Sequence, residues 1–174
     1  MNRIFILLVF FLSTSATLFA QDLKRNSVYI ELAGNGIIYS VNYDRVIPLS
    51  NQFKLAPRVG IALLPTSKDS DYSNLILPIE INALWAKNKE SKNHFEFGVG
   101  LNLVTVKIQF INDPSETIYL AKVTTGRFGF RHQKPTGGFM YRVGLVLPIA
   151  EDNNAKIKDL KRNYFGGISL GYTF

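Results

Sequence analysis

Nine charged residues of both signs fall in one row of an alternating pattern and are the most chemically suggestive set in the chain: Glu31, Asp44, Glu80 and Glu96 against Lys54, Arg58, Arg127, Arg131 and Arg142. Charges gathered in an enclosed space are costly unless they meet opposite partners. The near balance of this row therefore predicts mutual neutralisation, an ion-pair network that fills an interior. The competing reading is a narrow pore lined by mixed charge.

Other groupings carry less. The two histidines, His94 and His132, have no serine and carboxylate at a spacing that points to a triad. Asp69 and Asp71 with Ser67, Ser70 and Ser73 offer oxygen atoms for calcium, but the segment lacks the loop pattern and the glycine of an EF-hand and reads as a solvated loop. Gly34-Asn35-Gly36 is followed by a strand pattern, so it reads as a hairpin turn and not as a phosphate cradle. Lys156, Lys158, Lys161 and Arg162 could touch lipopolysaccharide phosphates or an outside partner; with Asp159 among them and no interleaved aromatics they do not resemble a nucleic-acid site. No catalytic residue, metal site or cofactor is expected from these motifs.

The elements that must position the charged row are strands. The recurring period is two, over residues 27–33, 37–46, 53–64, 75–85, 94–106, 122–133, 137–149 and 163–174. Most of these eight segments are close to the 9 to 11 residues that a tilted strand needs to cross the hydrocarbon of a bilayer. Opposite the charged row runs an apolar one, for instance Val28-Ile30-Leu32, Phe95-Phe97-Val99-Leu101 and Ile168-Leu170-Tyr172-Phe174. The charged row is interleaved with small residues such as Gly60, Gly98, Gly100, Gly144 and Gly171, as an interior only just wide enough for side chains requires. A soluble, lipocalin-like ligand-binding barrel would show the same alternation with its faces exchanged.

The expected fold is thus all-β, an eight-stranded antiparallel up-and-down transmembrane barrel. If the first strand starts in the periplasm, Tyr43, Phe53, Trp85, Phe95, Phe130, Phe139, Tyr141, Tyr172 and Phe174 fall at one level as an aromatic girdle. Connections 47–52, 86–93 and 134–136 then lie inside the periplasm, and 65–74, 107–121 and 150–162 outside. Both histidines sit at periplasmic strand ends in this arrangement, whereas a lipopolysaccharide-modifying barrel enzyme would need its histidine and serine near the outer leaflet.

Export is written into the N-terminus. Met1-Asn2-Arg3 is followed by the apolar run 4–12 and a small, polar stretch to Ala20, which reads as a signal peptide over residues 1–20 and a barrel domain over 21–174. Arg3 leaves with the signal, reducing the formal charge from +7 to +6. There is no cysteine, hence no disulfide and no lipidated cysteine.

Tyr29 to Gly36, Tyr39 to Arg45, Phe130 to Gln133 and Gly137 to Gly144 resemble the small bacterial outer membrane β-barrel proteins, a family of mostly unassigned function. Tyr172-Thr173-Phe174 is similar to the C-terminal signal read by the outer membrane assembly machinery. The resemblance implies a fold, an outer membrane location and partners among lipid, lipopolysaccharide and that machinery. It implies no catalytic residue. The function expected is structural or interactive, exercised through outer loops around a plugged lumen; the alternatives are a narrow solute channel, a lipopolysaccharide-modifying enzyme and a soluble lipocalin-like barrel.

Overall fold

The computed structural model describes residues 23–64, 74–110, 113–151 and 165–174. The signal segment 1–20, the Asp69–Asp71 region and the lysines at 156–161 lie outside the described residues. Eight strands follow one another: β1 (Asn26–Ala33), β2 (Tyr39–Arg45, continued past Val46 by Ile47–Pro48), β3 (Phe53–Leu64), β4 (Asn74–Trp85), β5 (Asn93–Phe110), β6 (Asp113–Gln133), β7 (Gly138–Glu151) and β8 (Phe165–Thr173). Each pairs antiparallel with the next. Pairing of β1 with β8, from Ser27 opposite Thr173 to Ala33 opposite Gly167, closes the sheet into a barrel.

Alternation along the strands resolves into two unlike surfaces. Along β1 the residues Ser27, Tyr29 and Glu31 are buried while Val28, Ile30 and Leu32 are about half exposed; β2 repeats the pattern with Ser40, Asn42 and Asp44 inside and Tyr39, Val41 and Tyr43 outside. At the extremes, Arg131 is 0% exposed and Phe97 49%. Charged side chains are inside and large apolar ones outside, the reverse of a soluble barrel and the partition that a bilayer demands. The lipocalin-like alternative is thereby set aside.

Aromatic rings line one rim. Trp85 stacks on Phe95 with ring centroids 5.9 Å apart, Phe95 meets Phe130 edge-on at 6.5 Å, Phe130 meets Tyr141 at 6.4 Å, and Tyr141 meets Phe139 at 6.1 Å. The strand register explains this chain of contacts, because Trp85 sits opposite Phe95 and Phe95 opposite Phe130. The connections at this end, over 49–52, 86–92 and 134–137, are short.

Two features of the opposite end depart from the sequence expectation. Residues 107–121, expected as an outer connection, are mostly strand: β5 and β6 are 18 and 21 residues long and pair out to Gln109 opposite Glu116 and, after a register shift, Phe110 opposite Asp113. The β-branched and aromatic residues of 103–108 and 117–125 favour a pleated ladder, and a hairpin can prolong that ladder beyond any membrane limit. Pro114 and the polar residues around it hide this continuation in the sequence.

The second departure concerns the Gly34-Asn35-Gly36 turn. It is not an exposed hairpin but a short 3-10 turn with all three residues buried. At 8 residues β1 is the shortest strand and the Tyr39–Arg45 stretch of β2 adds only 7, so the turn between them can fold over the rim into the lumen. Ile37 packs beside an apolar layer of Ala62, Ile76, Val104 and Ala121. Entry and exit are strained: Ala33 has φ 57° with ψ −140°, and Ile37 has φ 70°. Left-handed conformations of this kind cost a non-glycine residue about 1–3 kcal/mol. Ala33→Gly is therefore expected to raise the stability of the folded barrel by about 1 kcal/mol, read as a shift in urea midpoint without change of slope.

Candidate functional site

Strand parity delivers four carboxylates and four guanidinium groups to the interior, and the reach of arginine across the lumen joins them. Glu31 on β1 is the hub. Its Oε2 accepts from Arg58 Nη2 on β3 at 2.6 Å, while its Oε1 lies 2.7 Å from Arg127 Nη2 on β6 and accepts from Arg142 Nη2 on β7 at 3.0 Å. Glu80 on β4 accepts from Arg58 Nη1 at 2.7 Å and from Arg127 Nε at 3.2 Å. Arg142 also donates to Glu96 Oε1 on β5 at 2.8 Å and to Ser169 Oγ on β8 at 3.2 Å. One layer of charge thus stitches non-neighbouring strands through the middle of the barrel.

A second pair lies nearer the aromatic rim. Arg131 on β6 holds Asp44 on β2 through two hydrogen bonds of 2.7 and 2.8 Å. Arg131 and Arg142 face each other as cross-strand neighbours, and the like charges are separated by being drawn to different acids. Tyr29 lies beneath the hub, its ring centroid 4.8 Å from the Arg142 guanidinium carbon and 5.6 Å from that of Arg58. Guanidinium over an aromatic face adds cation–π attraction.

Neutral groups complete the filling. Asn42 Oδ1 accepts from Arg58 Nε at 3.0 Å and Nη2 at 2.7 Å. Asn35, carried in by the buried turn, donates its amide to Glu80 and accepts from Asn102 Nδ2 at 3.3 Å. Glycine makes room for these groups, as Gly60 and Gly171 illustrate. A Cβ at Gly60 would collide with Asn42 Oδ1, and one at Gly171 with Tyr29 and the backbone of Val28.

Of the nine charged residues singled out in the sequence, eight meet in these ion pairs and Lys54 does not. Its Nζ lies at the aromatic-rim end, donating to the backbone carbonyl of Lys89 at 3.1 Å and standing 3.0 Å from His94 Nε2. His94 is buried there, whereas His132 is on the outer surface, stacked on Tyr141 with centroids 4.9 Å apart and within 2.7 Å of Asn93 Oδ1. Neither histidine contacts a serine or a carboxylate among the hydrogen bonds of the described residues. Tyr172 and Phe174 point outward at the end of β8, 61% and 50% exposed.

Sequence reasoning missed the inward turn with Asn35, and it missed Tyr29 as the platform of the network. Parity alone places Tyr29 inside, one residue before the apolar Ile30. Nothing in the residues 34–36 themselves says that a Gly-Asn-Gly turn bends inward; the short segment 27–33 before it is the available signal.

Fold and interior together define the class: a closed, inverted eight-stranded barrel, apolar outside and cross-linked by ion pairs within. No family model matches the chain, and no curated protein does. Among solved structures, the N-terminal β-barrel domain of Pseudomonas aeruginosa OprF is similar, with a TM-score of 0.52 and 14% identity over 87% of this chain and 99% of that one. The likeness establishes the fold.

Proposed function

We propose that the protein is an integral barrel of the bacterial outer membrane whose interior is plugged by ion pairs, and that it acts through its surfaces and not by conducting solute. The observation that carries this reading is the convergence of Arg58, Arg127 and Arg142 on Glu31, with Asn35 of the buried turn joined to the same layer. Side chains that fill an eight-strand lumen leave no continuous water path. The tall β5–β6 hairpin extends well past the 9 to 11 residues needed to cross the hydrocarbon. It is the surface we assign to contacts with lipopolysaccharide or another envelope component.

Connection length gives the orientation in this reading: the short connections at the aromatic rim belong in the periplasm, the tall hairpin outside. Tyr172 and Phe174, outward at the seam, are the residues we assign to recognition by the assembly machinery.

Two measurements test the proposal. Unboiled protein in detergent is expected to migrate at a different gel position from boiled protein, as a barrel that survives the detergent does. Reconstituted in planar bilayers, the wild type is expected to conduct little or nothing. Steady conductance whose charge selectivity follows Arg58 and Arg142 would replace the plug with a pore.

A further inference from the structure

Among the described residues, the interior ion pairs leave one buried cation over. Lys54 is 6% exposed, and among the described residues it contacts no carboxylate; its ammonium meets only the Lys89 carbonyl and the His94 ring. Because an ammonium group donates and does not accept, His94 Nε2 is the acceptor of that contact. The imidazole is then neutral and takes up none of the charge.

Lys54 and His94 stand at the inner end of a cavity of about 230 Å³ that opens at the aromatic-rim mouth of the barrel. Lys24, Arg25, Lys89 and Lys134 surround it, and none of its lining residues is acidic. The barrel-side wall is apolar, formed by Val46 and Leu84 of a small buried cluster, with Pro135 across the opening. Five cationic side chains around one opening repel one another, and a buried charge without a partner carries a desolvation cost. Both costs fall when an anion enters.

We propose that this mouth is a binding site for a small organic anion: a carboxylate head on a short apolar stem, the head held by Lys54 and the stem against Val46 and Leu84. The cations at the rim raise the local concentration of such a ligand and steer it inward. The apolar wall selects against a bare inorganic ion, which would leave Val46 and Leu84 uncovered. On the orientation given above, the site faces the periplasm; the binding chemistry does not depend on that orientation.

The two histidines make a direct test. His94 lines the cavity, whereas His132 lies on the outer face against Tyr141 and reports any ligand that merely partitions into the lipid. With the full barrel in zwitterionic nanodiscs, imidazole carbon–proton resonances are followed while hexanoate, hexanol or inorganic phosphate is added. Hexanoate is expected to shift the His94 signal saturably and leave that of His132 in place, with hexanol and phosphate much weaker. Lys54→Met should weaken hexanoate binding by about tenfold or more, the factor carried by a hydrogen bond to a charged group. Its folding is checked by heat-modified migration. Lys89→Gln/Lys134→Gln, which changes only exposed side chains, should weaken binding by a smaller factor. Equal responses to hexanoate and hexanol, equal shifts at His94 and His132, or hexanoate binding indifferent to both variants would overturn the site. A phosphate response as strong as that of hexanoate would overturn the apolar stem.

Discussion

Glu31→Gln is expected to lower the unfolding free energy of the barrel by about 3–5 kcal/mol, the cost of leaving buried charge without its partner. Three guanidinium groups are directed at this one carboxylate, Arg58 and Arg127 from β3 and β6 and Arg142 from β7. Glu80 and Glu96 would remain to neutralise them, two acids against three bases in that layer. The amide keeps the shape of the side chain, so packing is preserved and the loss is electrostatic.

Adding Arg127→Gln removes one of the stranded cations and restores the count. The double variant is therefore expected to be more stable than the sum of the two single losses implies, by a coupling of about 0.5–3 kcal/mol. Urea unfolding in detergent micelles, followed by the gel shift and by tryptophan emission from Trp85, measures all three. A Glu31→Gln barrel as stable as wild type, or a double variant at the plain sum, would show that the interior charges are solvated individually and do not act as a network. Conductance that appears in Glu31→Gln alongside the loss of stability is the expected secondary effect of loosening the ion-paired interior.

The period-two pattern made the two faces legible because a strand has only two sides: once Val28 and Ile30 point out, Tyr29 and Glu31 must point in. The same reasoning cannot give height. How far up the barrel an inward residue sits depends on the stagger between strands, which is fixed by all the pairings at once. Lys54 and Arg58 share a face of β3 and differ by four residues, yet one reaches the Glu31 layer and the other the mouth. His94 and Glu96 are related in the same way on β5, and only Glu96 enters the ion pairs.

The inward turn was illegible for a different reason. Gly34-Asn35-Gly36 has the composition of an ordinary hairpin, and local propensity says nothing of the vacancy that awaits it between Glu80 and Asn102. The positive φ angles of Ala33 and Ile37 are the mark of tertiary contacts overriding local preference. The same contest explains residues 107–121, where turn-forming residues around Asn112 outweighed, in a local reading, a ladder that is held from the flanking strands.

Val41→Arg addresses the outer surface and carries the second large expected effect. Val41 lies in β2 between Ile30 of β1 and Ile61 of β3, all three outward and about half exposed. The outward row of β2 continues through Tyr43 to Arg45, so a native arginine already occupies this face just beyond the aromatic rim. Val41 is four residues further along, roughly 13 Å up the strand at the usual strand rise. An arginine that the interface tolerates at 45 should therefore cost about 2–4 kcal/mol at 41, where the hydrocarbon band is deepest. Val41→Leu, which alters shape and not charge, should be close to neutral, and the difference between the two substitutions isolates the cost of placing charge in lipid. Reversible unfolding in phospholipid vesicles gives both values. If Val41→Arg matches Val41→Leu there, the apolar exterior does not face hydrocarbon, and the bilayer assignment fails even though the barrel itself stands.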